Sequence, residues 1–354
     1  MELPKVSVVI PCHNVEKEIA NCITALLEQD YPKDKFEIIV VDDGSTDDTL
    51  GIVSGYDIKV LRHERRKGRA VAMNTGIEVA SGSIIAFTNA DCVPEKSWLM
   101  KLIAGYTNDR VAGVGGLTTT PAEGDIYLEF MRRLSYMQYN GPENTYSPLS
   151  SSNISYRKSI LQEVGGFDTD LQFSGEDQDI WLKVKQLGYD VLYTQKAKVY
   201  HYHHAFKLGS YAKWWQVRGE NFPLWLKKRT PSIQVAYSRY LLGASIPTYA
   251  TFILPLVFLG FATGNHVFYL LSSIILALLT SYLILSTMKS LVTPRRDKIE
   301  GQTYNLITVN IWRFDFANAG LVKIVKLIFI GLVASFAFTF GKFVGSYKYR
   351  YLVL

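Results

Sequence analysis

Residues Ile38-Ile39-Val40-Val41-Asp42-Asp43-Gly44-Ser45 form a short aliphatic run that ends in two adjacent carboxylates. A run of this kind, β-branched and without alternation, suits a strand buried on both faces, as in a parallel sheet. Similar runs flank it at Val6–Ile10, Ile58–Leu61 and Ile84–Phe87. Helical stretches separate them. Asn14 can cap a helix running through Leu27, with Ile19, Ile23, Leu26 and Leu27 on its inner face. Thr46-Asp47-Asp48 can start another, its acidic groups suited to a helix N-terminus. The βαβα order predicts an α/β fold with an open, doubly wound, mostly parallel sheet and a site at the strand C-terminal ends. Pro11-Cys12-His13-Asn14 follows the first strand where a dinucleotide fold would carry G-x-G-x-x-G, and no Walker A motif occurs.

Polar clusters fall where that topology places a site. Asp42 and Asp43, as acceptor-only groups after the second strand, can select N–H or hydroxyl donors of a ligand; a helix cap plus a turn is the plainer alternative. The fourth strand ends in Thr88-Asn89-Ala90-Asp91-Cys92, whose oxygens can hold a divalent metal beside a diphosphate, or simply make a turn. Between them runs Arg65-Arg66-Lys67-Gly68-Arg69, either a solvated face or a cationic partner for a pyrophosphate. Ser174-Gly175-Glu176-Asp177-Gln178-Asp179 crowds three carboxylates into four residues, which favours coordination, hydrogen bonding or proton chemistry. A general base is the attractive role there, and Asp179 suits a helix N-terminus in any case.

The 354 residues are 48% hydrophobic and 20% charged, which excludes disorder, and the three cysteines Cys12, Cys22 and Cys92 cannot build a disulfide framework or a four-ligand zinc site. The net charge of +6 divides unevenly. Residues 1–206 carry 21 basic against 28 acidic groups, and residues 207–354 carry 17 against 4. The basic surplus is therefore no sign of nucleic acid. No charged residue occurs from Tyr240 to Met288. A bilayer crossing needs about 20 apolar residues, so this run reads as two spans, 241–263 and 267–288, with a third at 324–346. Met1-Glu2-Leu3-Pro4-Lys5 leads straight into a strand-like run, and basic residues flank the first two spans on one side. The expectation is a multi-pass membrane protein with a cytoplasmic domain at 1–206, an interfacial segment at 207–239 rich in Trp and cations, and a membrane domain at 240–354.

In this order the pieces resemble family 2 glycosyltransferases of the GT-A fold. The matches are Val6-Ser7-Val8-Val9-Ile10 with Pro11 and Asn14 behind it, and Val41-Asp42-Asp43-Gly44-Ser45. Lys67-Gly68-Arg69 follows, with Asn74-Thr75-Gly76 and Ala80-Ser81-Gly82. Asn89-Ala90-Asp91, Gly165-Gly166-Phe167-Asp168 and Gly175-Glu176-Asp177 complete the set, which spans roughly residues 5–225. The resemblance implies a Rossmann-like nucleotide-diphospho-sugar transferase fold and single displacement with inversion at the anomeric carbon. It implies that Asp43 with Asp42 contacts the nucleobase, that Asp91 binds Mg²⁺ or Mn²⁺ with the diphosphate, and that Asp177, beside Glu176, is the base. Pro11, Asn14, Lys67, Arg69, Asn89 and Arg218 join the nucleotide-sugar site, and Asn89 and His201 join Asp91 as candidate metal ligands.

Two positions depart from the family pattern. The D-x-D metal motif has Asn89 first, an oxygen ligand without charge. The Q-x-x-R-W motif of processive synthases is replaced around Arg218 by Trp215-Gln216-Val217-Arg218-Gly219. That favours transfer of one sugar, from a UDP- or GDP-linked donor to a lipid-linked acceptor, over polymerisation. A processive polysaccharide synthase, a sugar-1-phosphate nucleotidyltransferase and a non-catalytic nucleotide-binding module are the alternatives.

Overall fold

The computed structural model describes residues 2–121, 125–139, 150–171, 175–202 and 207–229, with short pieces and isolated positions beyond. The chain divides into two compact units, 1–205 and 206–354.

The first unit holds the expected strands. They are β1 (Val6–Cys12), β2 (Phe36–Asp42), β3 (Lys59–Arg62) and β4 (Ile84–Thr88). Between them lie α1 (Ile19–Leu27), α2 (Thr49–Ser54) and α3 (Arg69–Val79). The chain continues through β5 (Cys92–Pro94), α4 (Trp98–Ile103), β6 (Val111–Thr119), α5 (Ile126–Tyr139), β7 (Asn153–Arg157), α6 (Lys158–Glu163), α7 (Glu176–Gln186) and β8 (Asp190–His201). Among the described residues these strands form one sheet in the order β3-β2-β1-β4-β7-β6-β8-β5. Strands β3, β2, β1 and β4 pair in parallel, as do β6 and β8. Strand β7 runs antiparallel to both β4 and β6, and β5 antiparallel to β8. The sheet is thus mixed rather than wholly doubly wound, with β1 at the point where the connections turn from β2 to β4. Ligands of open α/β sheets bind outside the strand ends at such a point.

Burial follows the aliphatic runs. Val8, Ile10, Ile39, Val41, Ile85 and Phe87 are all fully buried, as strands covered on both faces require. On α1 the inner face is Ile19, Cys22, Ile23 and Leu26, whereas Leu27 is 41% exposed. Asn14 does not cap this helix. The helix starts at Ile19 after Glu18 with no side-chain cap, and Asn14 instead adopts φ +53 and accepts a hydrogen bond from Thr46 N–H at 2.8 Å. Asn tolerates this left-handed conformation better than most residues. Its own N–H donates to Ser45 Oγ at 2.9 Å, and Val15 N–H donates to Thr49 Oγ1 at 2.8 Å. A residue read as a cap therefore ties the loop after β1 to the loop after β2.

Ala80-Ser81-Gly82 lies at the other end of the sheet. Glu37 accepts hydrogen bonds there from Ser7 Oγ, Ser81 N–H and Ser81 Oγ. Burial opposes its charge, but these donors and Lys59 outweigh it and hold the carboxyl down at about 2. This motif is a structural lock, not part of the ligand site. In the sheet interior Asn153 has the same character. It accepts from Trp98 Nε1 at 2.7 Å and donates to Leu117 O and Ala197 O, both at 3.0 Å.

The second unit contains α8 (Leu208–Arg229), a hairpin of Asp297–Ile299 with Gln302–Tyr304, and a bridge of Val235–Ala236 with Leu352–Val353. The multi-pass membrane placement expected from hydropathy is corrected here: among the described residues no helix is long and apolar enough to cross a membrane. Helix α8 has 22 residues but carries Lys213, Arg218, Glu220, Lys227, Lys228 and Arg229. Segments 241–263 and 267–288 lie outside the described residues, as does most of 324–346. Where that last segment is described, Ile330 and Ala337 are buried, and Gly341 and Gly345 meet the α8 backbone at Gln216 and Glu220 so closely that no Cβ would fit. Its apolar and small residues pack there against protein.

Removing the Asn153 side chain would leave one donor and two carbonyls buried without partners. Asn153→Ala is expected to destabilise the fold by about 3 kcal/mol in urea unfolding. A loss under about 0.5 kcal/mol would show that this amide is not a support of the sheet.

Candidate functional site

The β2 end is organised by Asp43. Its carboxylate, 3% exposed with the rest of the residue, accepts Lys67 N–H and Gly68 N–H, both at 2.8 Å, and lies 2.7 Å from His63 Nδ1. Burial would raise its pKa, but hydrogen bonds from His63, Lys67 and Gly68 prevail and lower it. His63 Nε2 reaches Thr75 Oγ1 on α3 at 3.1 Å. Gly44 has φ +70, and a Cβ there would stand 2.7 Å from the Arg65 carbonyl carbon and Arg66 nitrogen. Only glycine permits so close a passage. Asp42 is fully buried, accepts Ser45 N–H at 3.1 Å and faces Arg62 Nε at 3.6 Å. Both carboxylates thus turn toward their own chain, and Asp43 holds the loop 63–68. Lys67 presents its side chain to solvent from this loop, and Pro11 and Asn14 border the same floor.

The held loop delivers Arg69, the first residue of α3, to the centre of the strand ends. Its guanidinium donates to Asn89 Oδ1 after β4 and lies 3.6 Å from Glu176 Oε1 at the start of α7. Glu176 is 5% exposed, and its Oε2 has no hydrogen-bond partner. Asp177 beside it is half-buried and accepts N–H from Gln178 at 2.9 Å. Desolvation and the Glu176 charge raise Asp177 to about 7, against the lowering effects of Arg69 and of backbone N–H groups from Gln178 and Ser151. A carboxylate poised near neutrality is suited to proton transfer. Asp179 is fully buried and paired with Lys183 one turn on, at 3.0 Å. Lys183 also donates to Gly166 O, and Asn74 clamps Phe167 N and O, both at 2.9 Å. These bonds tie α7 and the Gly165-Gly166-Phe167-Asp168 turn to α3.

Asp91 Oδ2 and His201 Nε2 lie 3.0 Å apart, with Cys92 completing a group of three potential ligands. One carboxylate and one imidazole fit a divalent ion that takes oxygen and nitrogen donors. Cys92 fits poorly, since burial and the Asp91 charge push its thiol well above the usual range and keep it protonated. The Asn89 side-chain oxygen is directed to Arg69.

Of the residues singled out from sequence, Asn89, Arg69, Glu176 and Asp177 come together, and Asp91 meets His201. Asp42 and Asp43 form the adjoining floor. Arg218 belongs to the second unit, where its guanidinium stacks 3.1 Å from the Trp214 ring centroid. Ser174, His203 and His204 lie outside the described residues. Sequence reasoning missed His63 and the Ser151 N–H. The run Ser150-Ser151-Ser152-Asn153, four polar residues buried or nearly so ahead of a strand, was the available signal for the second. Nothing local marked His63.

The mixed sheet and acidic strand ends define a GT-A-type α/β domain. The mannosyltransferase PcManGT from Pyrobaculum calidifontis, solved in complex with GDP-Man and Mn²⁺, shares this fold, with TM-score 0.55 and 22% identity over 82% of this chain and 88% of its own. Residues 7–165, a little under half of the chain, match the model described as Glycosyl transferase family 2. Glycosyltransferase AglE of Haloferax volcanii is 33% identical over 198 residues, 54% of this chain and 65% of its own length. The dolichyl N-acetyl-alpha-D-glucosaminyl phosphate 3-beta-D-2,3-diacetamido-2,3-dideoxy-beta-D-glucuronosyltransferase of Methanococcus voltae is 29% identical over 208 residues, 53% of this chain and 64% of its own. The chain thus spans slightly less than two thirds of the length of these relatives.

Because the Asp177 pKa is raised on folding, its ionisation opposes the folded state. Its contribution to stability is fully present below the ordinary carboxylate range, near pH 4, and is lost as pH rises toward 7. Asp177→Asn should therefore raise the melting temperature at pH 8 while changing it little at pH 4. An equal shift at both values in a fluorescence melting series would contradict this placement.

Proposed function

We propose that this chain is an inverting glycosyltransferase that moves one sugar from a UDP- or GDP-linked donor to a lipid-linked acceptor. The observation that carries the reading is the buried Glu176 and half-buried Asp177 at the start of α7, with Arg69 held between Glu176 and Asn89, two residues before Asp91. The family supports transferase chemistry. The name of the Methanococcus voltae relative supports a lipid-linked acceptor.

In this mechanism the donor lies across the ends of β1, β2 and β4. The floor made by Asp42, Asp43 and the loop 63–68 borders the nucleobase, and Lys67 offers a cation to the phosphates. Asp91 and His201 would hold Mg²⁺ or Mn²⁺, which when bound neutralises diphosphate charge and stabilises the leaving group. Asp177 accepts the proton of an acceptor hydroxyl. The freed oxygen electrons form the bond to the anomeric carbon from the face opposite the diphosphate, the carbon–phosphate-oxygen bond breaks, and nucleoside diphosphate departs. One displacement inverts the configuration. Where the acceptor is a phosphate it needs little deprotonation at neutral pH, and Asp177 then matters less.

With a hydroxyl acceptor, Asp177→Asn is expected to lower kcat by about 10²- to 10⁴-fold while leaving nucleotide binding intact. Asp91→Ala should remove the Mn²⁺-dependent part of the thermal shift given by UDP or GDP. Retained turnover in the first variant, or an unchanged metal-dependent shift in the second, would overturn the assigned roles.

A further inference from the structure

The Arg69 guanidinium has two protein acceptors on two other elements, and neither is an ordinary surface partner. Asn89 ends β4, and Glu176 opens α7. Glu176 is almost wholly buried, its Oε2 lacks any hydrogen bond, and its only ion-pair partner among the described residues is Arg69. A buried carboxylate without compensation either takes up a proton or repels charge on its neighbour. Its neighbour is Asp177. The position of Arg69 is fixed upstream, since Asp43 holds the N–H groups of Lys67 and Gly68.

We propose that Arg69 is a positioning residue: held between Asn89 and Glu176, it neutralises the buried Glu176 carboxylate so that the adjacent Asp177 can carry charge and accept a proton. This rests on the transferase reading only for what the proton transfer achieves. Among the described residues, four groups face Asp177 besides its own Gln178 N–H. Glu176 precedes it on α7, Arg69 approaches from α3, Ser151 N–H comes from the turn before β7, and the Tyr156 phenol comes from β7. Burial keeps the Tyr156 phenol far above its usual range, so it stays neutral. The charge balance at Asp177 is therefore Glu176 against Arg69.

The role also separates Arg69 from a simple diphosphate cation. A cation that served only the donor would change donor affinity when removed and leave the carboxylates of the free protein as they were. One that balances Glu176 changes those carboxylates with no substrate present.

The test is a carbon-13 NMR titration, from pH 4 to 9, of the full chain labelled at the Asp and Glu carboxyl carbons, without substrate. The two signals are assigned by their loss in Asp177→Asn and Glu176→Gln. In wild type the Asp177 midpoint is expected near 7. Arg69→Met should raise it by about one pH unit or more, and Arg69→Lys by less. Glu176→Gln should lower the Asp177 midpoint by a similar amount, and adding it to Arg69→Met should bring the midpoint back toward wild type. If Arg69→Met does not fold, Glu176→Gln decides: a lowered Asp177 midpoint supports the pairing. An unmoved or raised midpoint in that variant, or an unmoved one in folded Arg69→Met, overturns it. Donor turnover by wild type is assayed separately, so its absence would defeat the transferase reading without touching the titration.

Discussion

A carboxylate that leaves water needs a countercharge, and for Glu176 that countercharge is Arg69. Glu176 and Asp177 stand at the start of α7, and the guanidinium reaches Glu176 from the start of α3 while lowering the pKa of Asp177 beside it. Much of the surrounding structure serves this meeting. Asp43 fixes the backbone just before Arg69, and His63 and Gly44 fix Asp43 and the passage beside it. On the other side Asn74 and Lys183 hold the Gly166–Phe167 turn that leads toward α7. Charge, loop geometry and helix placement converge on the start of α7, where the pKa of Asp177 is raised.

The acidic residues at the strand ends accordingly divide into two kinds. Asp43 accepts backbone N–H groups of its own chain, and Asp42 and Asp179 are buried beside Arg62 and Lys183; all three shape the site. Asp91 and Asp177 keep part of their surface open at the strand ends. Adjacent carboxylates in a sequence look alike, but burial and the direction of backbone N–H groups assign them opposite roles.

The strands were legible because an aliphatic run without alternation has few other uses, and the strand-end position of the site followed from their order. The mixed character of the sheet was not, because β6, β7 and β8 contain polar residues such as Asn153 and Ser155 whose partners lie more than thirty residues away. Asn14 was misjudged as a helix cap since capping and loop-bridging call for the same short polar side chain. Arg69 was recognised as a cation near the site, but its partners Asn89 and Glu176 are distant in sequence and only the fold joins them. Hydropathy alone cannot distinguish apolar residues facing lipid from those packed on protein, and in the described part of 324–346 Ile330 and Ala337 are buried.

The most direct test of the central claim is a crystal structure with UDP or GDP and Mn²⁺, with the metal located by its anomalous signal. The expected result is a Mn²⁺ peak bound by Asp91 and His201, with the diphosphate on it and the sugar position open toward Asp177. Manganese bound elsewhere, or a nucleotide at the opposite end of the sheet near Glu37 and Ser81, would contradict it.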